Sequence, residues 1–256
     1  MLRALTVIAV AALTTLGLTT AASASISYVA LGDSYSSGVG AGSYLDSGSC
    51  KRSANAYPYL YARRTGASLS FQACEGAKTS DVANSQAAAL SASTDLVSVT
   101  VGGNDAGFTS VMEDCILRGD SGCNTAMTNA ISFVQNTLPG RLDAVYTTIR
   151  RRAPNAEVVV LGYPHFYKIG GSCAVGLSDT SRGYLNHGAD TLDAVMAKEA
   201  ANAGFAFADV RPAFTGHEIC SGSPWLHSVT WPVDESYHPT ATGQGAGYYP
   251  AFTAAF

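Results

Sequence analysis

Five short apolar runs, separated by longer stretches of different periodicity, most constrain how this chain can fold. They are Ser27–Leu31, Leu69–Ala73, Asp95–Val101, Glu157–Leu161 and Phe205–Val210. Short runs that are apolar or β-branched almost throughout are typical of strands covered on both faces. The sequence therefore predicts five buried strands.

Two of the intervening stretches have helical spacing. In Ser181–Ala203 apolar residues recur at intervals of three or four, and Gly204 follows where a helix C-cap is expected. Leu138–Arg152 also has one apolar face, and Pro154 prevents its continuation. Strands that alternate with helices predict an α/β chain with a parallel sheet and helices on both sides.

The first 24 residues have the pattern of an export signal. Arg3 gives a positive start, an apolar run follows from Ala4 to about Leu18, and Ala22–Ala24 fits the small-residue cleavage pattern. The run is too short for a bilayer span. We therefore expect a secreted protein, cleaved near Ala24, with one domain over residues 25–256.

Composition excludes several other classes. The formal net charge of −4 shows no basic surplus for nucleic acid, and the 47% hydrophobic fraction argues against disorder. No later stretch is apolar enough for a membrane anchor, and nothing requires more than a monomer. The six cysteines of an exported chain predict disulfides. Cys115 and Cys123 are close enough to staple one loop.

The first predicted strand leads directly into Gly32–Gly38, whose sequence is GDSYSSG. Ser34 thus follows the carboxyl end of a strand, where parallel sheets bind their ligands. It is a candidate nucleophile, although a serine here can equally be the N-cap of the next helix. Ser36 replaces the second glycine of the G-x-S-x-G elbow, which argues against an α/β-hydrolase.

Three further positions could complete a site around Ser34. Gly76 follows the second predicted strand and could offer a backbone N–H. Asn104 lies in Gly102–Asp105 after the third strand, where its amide suits an oxyanion, although Gly-Asn-Asp is also turn chemistry. His238 lies in a late loop with acidic neighbours and is a general-base candidate, although a lone histidine is more often an ordinary loop residue.

Taken in order, these motifs resemble the GDSL/SGNH hydrolase family. The segment Gly32–Gly38, the six cysteines and Ser236–Pro239 are similar to those of secreted actinobacterial, Streptomyces-type lipases and phospholipases. The resemblance implies an SGNH-hydrolase, flavodoxin-like fold: a three-layer α/β/α sandwich with a five-stranded parallel sheet. It also implies sequential disulfides, which would be Cys50–Cys74, Cys115–Cys123 and Cys173–Cys220.

The resemblance further implies a serine ester hydrolase in which Ser34 attacks and His238 is the base. The backbone N–H groups of Ser34 and Gly76 and the side chain of Asn104 would hold the oxyanion.

The third member of the triad is open. The family often has an aspartate three residues before the histidine, where this chain has Glu235, with Asp234 one residue earlier. In similar lipases a backbone carbonyl orients the histidine, and we favour that of Ser236, with Glu235 or Asp234 as alternatives. The sequence has neither metal-ligand spacing nor a phosphate-binding loop, so we expect no metal and no cofactor.

Apolar residues after the predicted strands could form a groove for an acyl chain. With the resemblance, acyl esters of lipids are the leading substrate. A phospholipase A, an acetyl-sugar esterase, a transferase and a secreted binding module without chemistry are the alternatives. The candidate groove residues are Phe108, Val111, Met112, Tyr163, Phe166, Tyr167, Trp225, Leu226 and Trp231.

Overall fold

Five parallel strands form one sheet, which confirms the predicted fold class. In the computed structural model, which describes residues 25–45, 48–173 and 176–256, the strand order is β2-β1-β3-β4-β5. The expected leader and its cleavage position lie outside the described residues. The strands are β1 (Ser27–Gly32), β2 (Ser68–Phe71), β3 (Leu96–Thr100), β4 (Glu157–Leu161) and β5 (Ala206–Ala208).

The helices include both predicted ones. The helix predicted over Leu138–Arg152 has those bounds, and the one predicted over Ser181–Ala203 spans Asp179–Asn202. In order they are α1 (Ser34–Ser37), α2 (Tyr57–Thr65), α3 (Thr79–Asn84), α4 (Phe108–Asn136), α5 (Leu138–Arg152), α6 (Asp179–Asn202), α7 (Arg211–Phe214) and α8 (Tyr249–Thr253). Three 3₁₀ turns (Gly48–Cys50, Gln86–Ala89 and Val233–Glu235) and a π-helical segment (Gly243–Tyr248) complete the elements of the described residues.

Helices cover both faces of the sheet. Side chains of a strand alternate between its faces, so a strand that is apolar throughout needs cover on both. On one side α4, α5 and α6 pack together, and α3 packs against α5. On the other side Tyr28 of β1 contacts Tyr61 of α2 and Phe252 of α8. All five residues of β3 are buried, as expected for a central strand. Among the described residues, no helix is long and apolar enough to cross a membrane.

The segment around Cys115 and Cys123 is helical, so the predicted loop is wrong. Both cysteines lie in α4, and a disulfide joins them with their Cα atoms 4.0 Å apart. Eight residues of straight helix would span about 12 Å, so the helix must turn sharply between them. The turn is at Gly119, whose φ of 62° and ψ of −160° are not helical. The disulfide therefore fastens two helical segments across a kink.

The strand order places the carboxyl ends of β1 and β3 side by side at the switch point of the sheet. From β1 the chain passes to β2 on one side and then crosses to β3 on the other. Open α/β sheets bind ligands in the crevice at such a point. Gly32 lets the two strands approach closely here, because its φ is +120° and an added Cβ would lie 2.4 Å from the Thr100 carbonyl oxygen.

Candidate active site

Ser34 is the first residue of α1, directly after β1. Asp33 is the N-cap of this helix, and its carboxylate accepts a hydrogen bond from the Tyr35 N–H at 3.0 Å. The alternative that Ser34 itself caps the helix is therefore wrong. As the first helical residue Ser34 has no partner for its N–H within the helix, and no acceptor for that N–H occurs among the described residues. The Ser34 N–H is free to bind a ligand.

The side chain of His238 bridges Ser34 and the backbone of its own loop. Its Nε2 lies 2.7 Å from Ser34 Oγ, and its Nδ1 lies 3.0 Å from the Ser236 carbonyl oxygen. That carbonyl can only accept, so Nδ1 carries the proton and Nε2 is left as the acceptor for the serine hydroxyl. The Tyr35 hydroxyl donates to the Tyr237 carbonyl at 2.6 Å and ties the loop to α1.

The acidic residues that precede His238 have other partners. The Asp234 carboxylate is paired with the Lys51 ammonium group. The Glu235 carboxylate accepts from the Tyr44 hydroxyl at 2.7 Å, and that hydroxyl accepts from the Gly40 N–H. In the described residues neither carboxylate is hydrogen-bonded to His238, so the Ser236 carbonyl is its partner at Nδ1.

Burial keeps His238 neutral. Loss of water around the ring lowers the pKa of His238 to about 4. The hydrogen bond with the Ser236 carbonyl and the charge of Asp234 act in the opposite direction but are outweighed. The imidazole is thus unprotonated, and able to accept a proton, over most of the pH range.

Gly76 and Asn104 face the same cavity as Ser34. The Gly76 N–H has no acceptor among the described residues. The Asn104 amide donates one N–H to the Ala77 carbonyl at 3.0 Å, which orients the group and leaves its second N–H available. Three residues with available N–H groups, each following one of β1, β2 and β3, therefore line one cavity, a pattern suited to an oxyanion.

Tyr163, which the sequence indicated only as a groove residue, links the ends of β1 and β3. The Tyr163 hydroxyl donates to the Asp33 carboxylate and accepts from the Gly103 N–H at 3.2 Å. Burial raises the pKa of Asp33 to about 7, although the hydrogen bond from Tyr163 lowers it. Asp105, the last residue of the asparagine motif, has a structural role, because its carboxylate accepts the N–H and hydroxyl of Thr79 at the start of α3.

A cavity of about 470 Å³ leads from Ser34 and His238 between α4 and α6. Its inner wall is almost entirely apolar. Many lining residues were not predicted to belong to a groove, and they come from both helices: Ile116, Met127, Ala130, Ile131, Val134, Leu185, Gly188, Ala189 and Leu192. Helical periodicity shows that such residues are buried, but not that they surround a space.

The predicted groove residues divide into two groups. Five of them line the cavity: Phe108, Val111, Met112, Tyr163 and Phe166. Four do not: Tyr167, Trp225, Leu226 and Trp231. Of these, Trp225 stacks on His217 with ring centroids 3.6 Å apart, and Trp231 is 86% exposed.

Comparison with known proteins agrees with this geometry. The model of the GDSL-like Lipase/Acylhydrolase family matches residues 30–246, which include Ser34, Gly76, Asn104 and His238. The chain belongs to this family. It is therefore an ester hydrolase of the α/β class, as the sequence predicts.

Close relatives come from Streptomyces. A lipase of Streptomyces rimosus is 59% identical over 230 residues, 89% of this chain and 86% of the relative. The crystal structure of an extracellular lipase from Streptomyces rimosus has a TM-score of 0.88 at 58% identity, over 91% of this chain and all of the other. That of phospholipase A1 from Streptomyces albidoflavus has a TM-score of 0.89 at 54% identity, with the same coverage.

Proposed function

We propose that this family member is a secreted lipase that cleaves long-chain acyl esters through an acyl-enzyme on Ser34. The observation that carries the proposal is the apolar cavity of about 470 Å³, which begins at the Ser34–His238 pair and has a size typical of ligand sites. An acyl chain inside it would place its ester carbonyl beside the nucleophile, with the alcohol portion toward the open side.

The proposed reaction follows from the distances at the site. Ser34 Oγ attacks the ester carbonyl while its proton moves to Nε2 of His238, 2.7 Å away. The tetrahedral intermediate collapses, and His238 returns the proton to the departing alcohol. Water then attacks the acyl-enzyme, giving up a proton to His238, and the acid leaves as Ser34 regains its hydroxyl.

In this proposal the oxyanion binds the Ser34 and Gly76 N–H groups and the Asn104 amide. Replacing Asn104 by Ala should lower kcat about 10²–10³-fold, the usual cost of one such donor. Steady-state kinetics measures the loss, and thermal unfolding shows whether the fold is kept. Asn136→Ala, an exposed amide on α4, is the matched control. A normal kcat for Asn104→Ala would contradict the role.

The proposed base is a dyad, in which the Ser236 carbonyl orients His238. Asp234→Ala and Glu235→Ala should each keep kcat within about tenfold of the parent, because their carboxylates bind Lys51 and Tyr44 instead of the imidazole. Loss of a true triad acid costs roughly 10⁴-fold. A loss of that size in either variant would assign the orienting role to that carboxylate.

The substrate class is tested with nitrophenyl esters of graded acyl length, from acetate to palmitate. We expect kcat/KM to rise with chain length as more of the cavity is filled. A sharp optimum at acetate would favour an acetyl-sugar esterase, and no hydrolysis at any length would favour a binding module. Triacylglycerol and phosphatidylcholine substrates then distinguish lipase from phospholipase selectivity.

Secretion belongs to the same proposal. The relative from Streptomyces rimosus is extracellular, and three disulfides join Cys50 to Cys74, Cys115 to Cys123 and Cys173 to Cys220 in this chain. Disulfides of this kind persist in oxidising compartments. N-terminal sequencing of the exported protein should begin at Ser25. A protein retained in the cell with Met1 intact would contradict export.

A further inference from the structure

Exposed apolar side chains are concentrated in two short segments beside the cavity. In the described part of the chain, the four most exposed large apolar residues are Trp231 (86%), Leu117 (80%), Val229 and Val233. With Ile116, also exposed, we call them the apolar rim. Large apolar side chains that share one region of a surface usually mark an interaction site.

The apolar rim is continuous with the cavity. Ile116, Val229 and Val233 line the cavity as well as facing solvent. Leu117 directly follows Ile116 in the chain, and Trp231 lies two residues from both Val229 and Val233. One part of the rim belongs to α4 just before the kink at Gly119, and the other belongs to the loop that leads to His238. The rim therefore contributes to the cavity lining from α4 and from the loop that leads to His238.

The charges near the cavity indicate which partner the rim fits. Among the described residues, the cavity lining has no lysine or arginine, and its carboxyl groups outside the buried Asp33 belong to Glu75, Glu113 and Asp234. The nearby Lys51 is paired with Asp234 and lies 4.0 Å from Glu75. An acidic surface repels an anionic one, whereas exposed tryptophan and aliphatic side chains enter the boundary between lipid headgroups and acyl chains.

We propose that the apolar rim docks on an uncharged or zwitterionic lipid surface, so that an ester passes from that surface into the cavity. The inference rests on the proposed function, because a lipid ester is what such a surface would supply. Trp231 and Leu117 act in binding the surface and take no part in the chemistry.

The binding test uses the Ser34→Ala protein, which does not digest the vesicles. Co-sedimentation with phosphatidylcholine vesicles should show binding that weakens about tenfold in Trp231→Ala and in Leu117→Ser, since each removes apolar area from the interface. Phe256→Ala is the matched control. Phe256 is also a partly exposed aromatic, but it packs on Tyr61 and Phe252, which contact Tyr28 near the start of β1, the end of the strand remote from Ser34.

Two results of the binding test would overturn the inference. One is unchanged binding of both rim variants. The other is tighter binding of the Ser34→Ala protein, without a rim substitution, when phosphatidylglycerol replaces half of the phosphatidylcholine. The acidic residues of the cavity should instead weaken binding to the anionic vesicles. The fluorescence of Trp231 gives a second measurement. Its emission should shift to the blue on vesicles, against the constant signal of Trp225 stacked on His217.

Kinetics with Ser34 intact separates this inference from the proposed function. Trp231→Ala should hydrolyse monomeric nitrophenyl butyrate with unchanged kcat/KM and dispersed lipid about tenfold more slowly. Equal activity of parent and variant on dispersed lipid would overturn the docking role. If the parent hydrolyses no ester at all, the proposed function fails, while the vesicle measurements still test the surface.

Discussion

A main-chain carbonyl occupies the position beside His238 that a carboxylate takes in a full triad. The carbonyl of Ser236 fixes the tautomer of the ring but brings no charge to stabilise an imidazolium. Sequence narrowed the partner to Ser236, Glu235 or Asp234. The structure distinguishes these three candidates because Tyr44 and Lys51 bind the two carboxylates. Tyr44 and Lys51 are more than 180 residues away along the chain, and no periodicity or motif predicts their partners.

The low pKa of His238 leads to a prediction about pH. Only neutral imidazole can take the proton of Ser34, and burial lowers its pKa to about 4 from the ordinary 6.5. A lowered pKa favours the neutral form, so kcat/KM should hold as the pH falls below 6.5 and should decline only around pH 4. A pH–rate profile with a monomeric ester measures this, over the range in which circular dichroism shows the protein folded.

The neighbouring titratable groups set the control for that profile. Asp234, His227 and Lys51 act on the ring electrostatically, and Asp33 next to Ser34 has a pKa raised to about 7 by burial. Asp33→Asn should leave the acid limb in place. An acid limb near 6.5 in the parent would show that the ring is solvated and positively charged below that pH, contrary to the structure.

At the scale of elements, the sequence predicted helices with a regular apolar face but not the helix that is kinked. The helix Leu138–Arg152 matched its predicted bounds because an apolar face and a following proline define it locally. Helix α4 was missed, since Gly119 and Gly122 give its middle the composition of a loop and the cysteines suggested a staple. The predicted groove therefore contained Phe108, Val111 and Met112 from the start of α4 but not the wall that the rest of α4 forms with α6.

Gly188 of α6 sets the width of the cavity beside Met127 of α4. A Cβ at position 188 would lie 2.5 Å from the Met127 sulfur, and both residues line the cavity. Gly188→Ala should therefore displace Met127 and fill part of the space, moving the preferred substrate toward shorter acyl chains. The ratio of kcat/KM for nitrophenyl palmitate to that for the butyrate should fall about tenfold, the order of one or two methylene contacts.

Gly183→Ala is the control for that substitution. It lies in the same helix, with nothing within 4 Å of the added Cβ. Both changes should gain about 0.5–1 kcal/mol of helix propensity, so a difference in chain-length preference reports on the cavity alone. The same preference in Gly188→Ala and Gly183→Ala would show that Met127 does not limit the acyl chain.

At the scale of the whole molecule, the three disulfides hold segments around the site. Cys50–Cys74 anchors the chain two residues before Gly76, and Cys115–Cys123 spans the kink of α4. Cys173–Cys220 connects the segment before α6 with the one after α7. The pairing matches the one implied by family resemblance, which spacing alone left open. The sequence separations are 24 residues for Cys50–Cys74, 8 for Cys115–Cys123 and 47 for Cys173–Cys220, so the three disulfides should differ in their effect on stability.

Removing the disulfides one at a time, by paired Cys→Ser changes, should give a ranked loss of unfolding free energy. In the chain-entropy model the loss is about 2–3 kcal/mol for Cys115–Cys123 and about 4 kcal/mol for Cys173–Cys220, because a longer closed loop restricts the unfolded chain more. Urea titrations of the three variants measure it. A larger loss for Cys115–Cys123 than for Cys173–Cys220 would show that the bridge at the kink acts mainly on the folded state.

The hydrogen bond between His238 and the Ser236 carbonyl also bears on how this site can evolve. A triad acid depends on the side chain at one position, and a single base change can remove it. Every amino acid carries a carbonyl, so no codon at position 236 encodes its removal, and a replacement there can only tilt it. In the proposed mechanism the orienting role therefore requires no acid at positions 234 and 235, and any constraint there comes from the contacts with Lys51 and Tyr44.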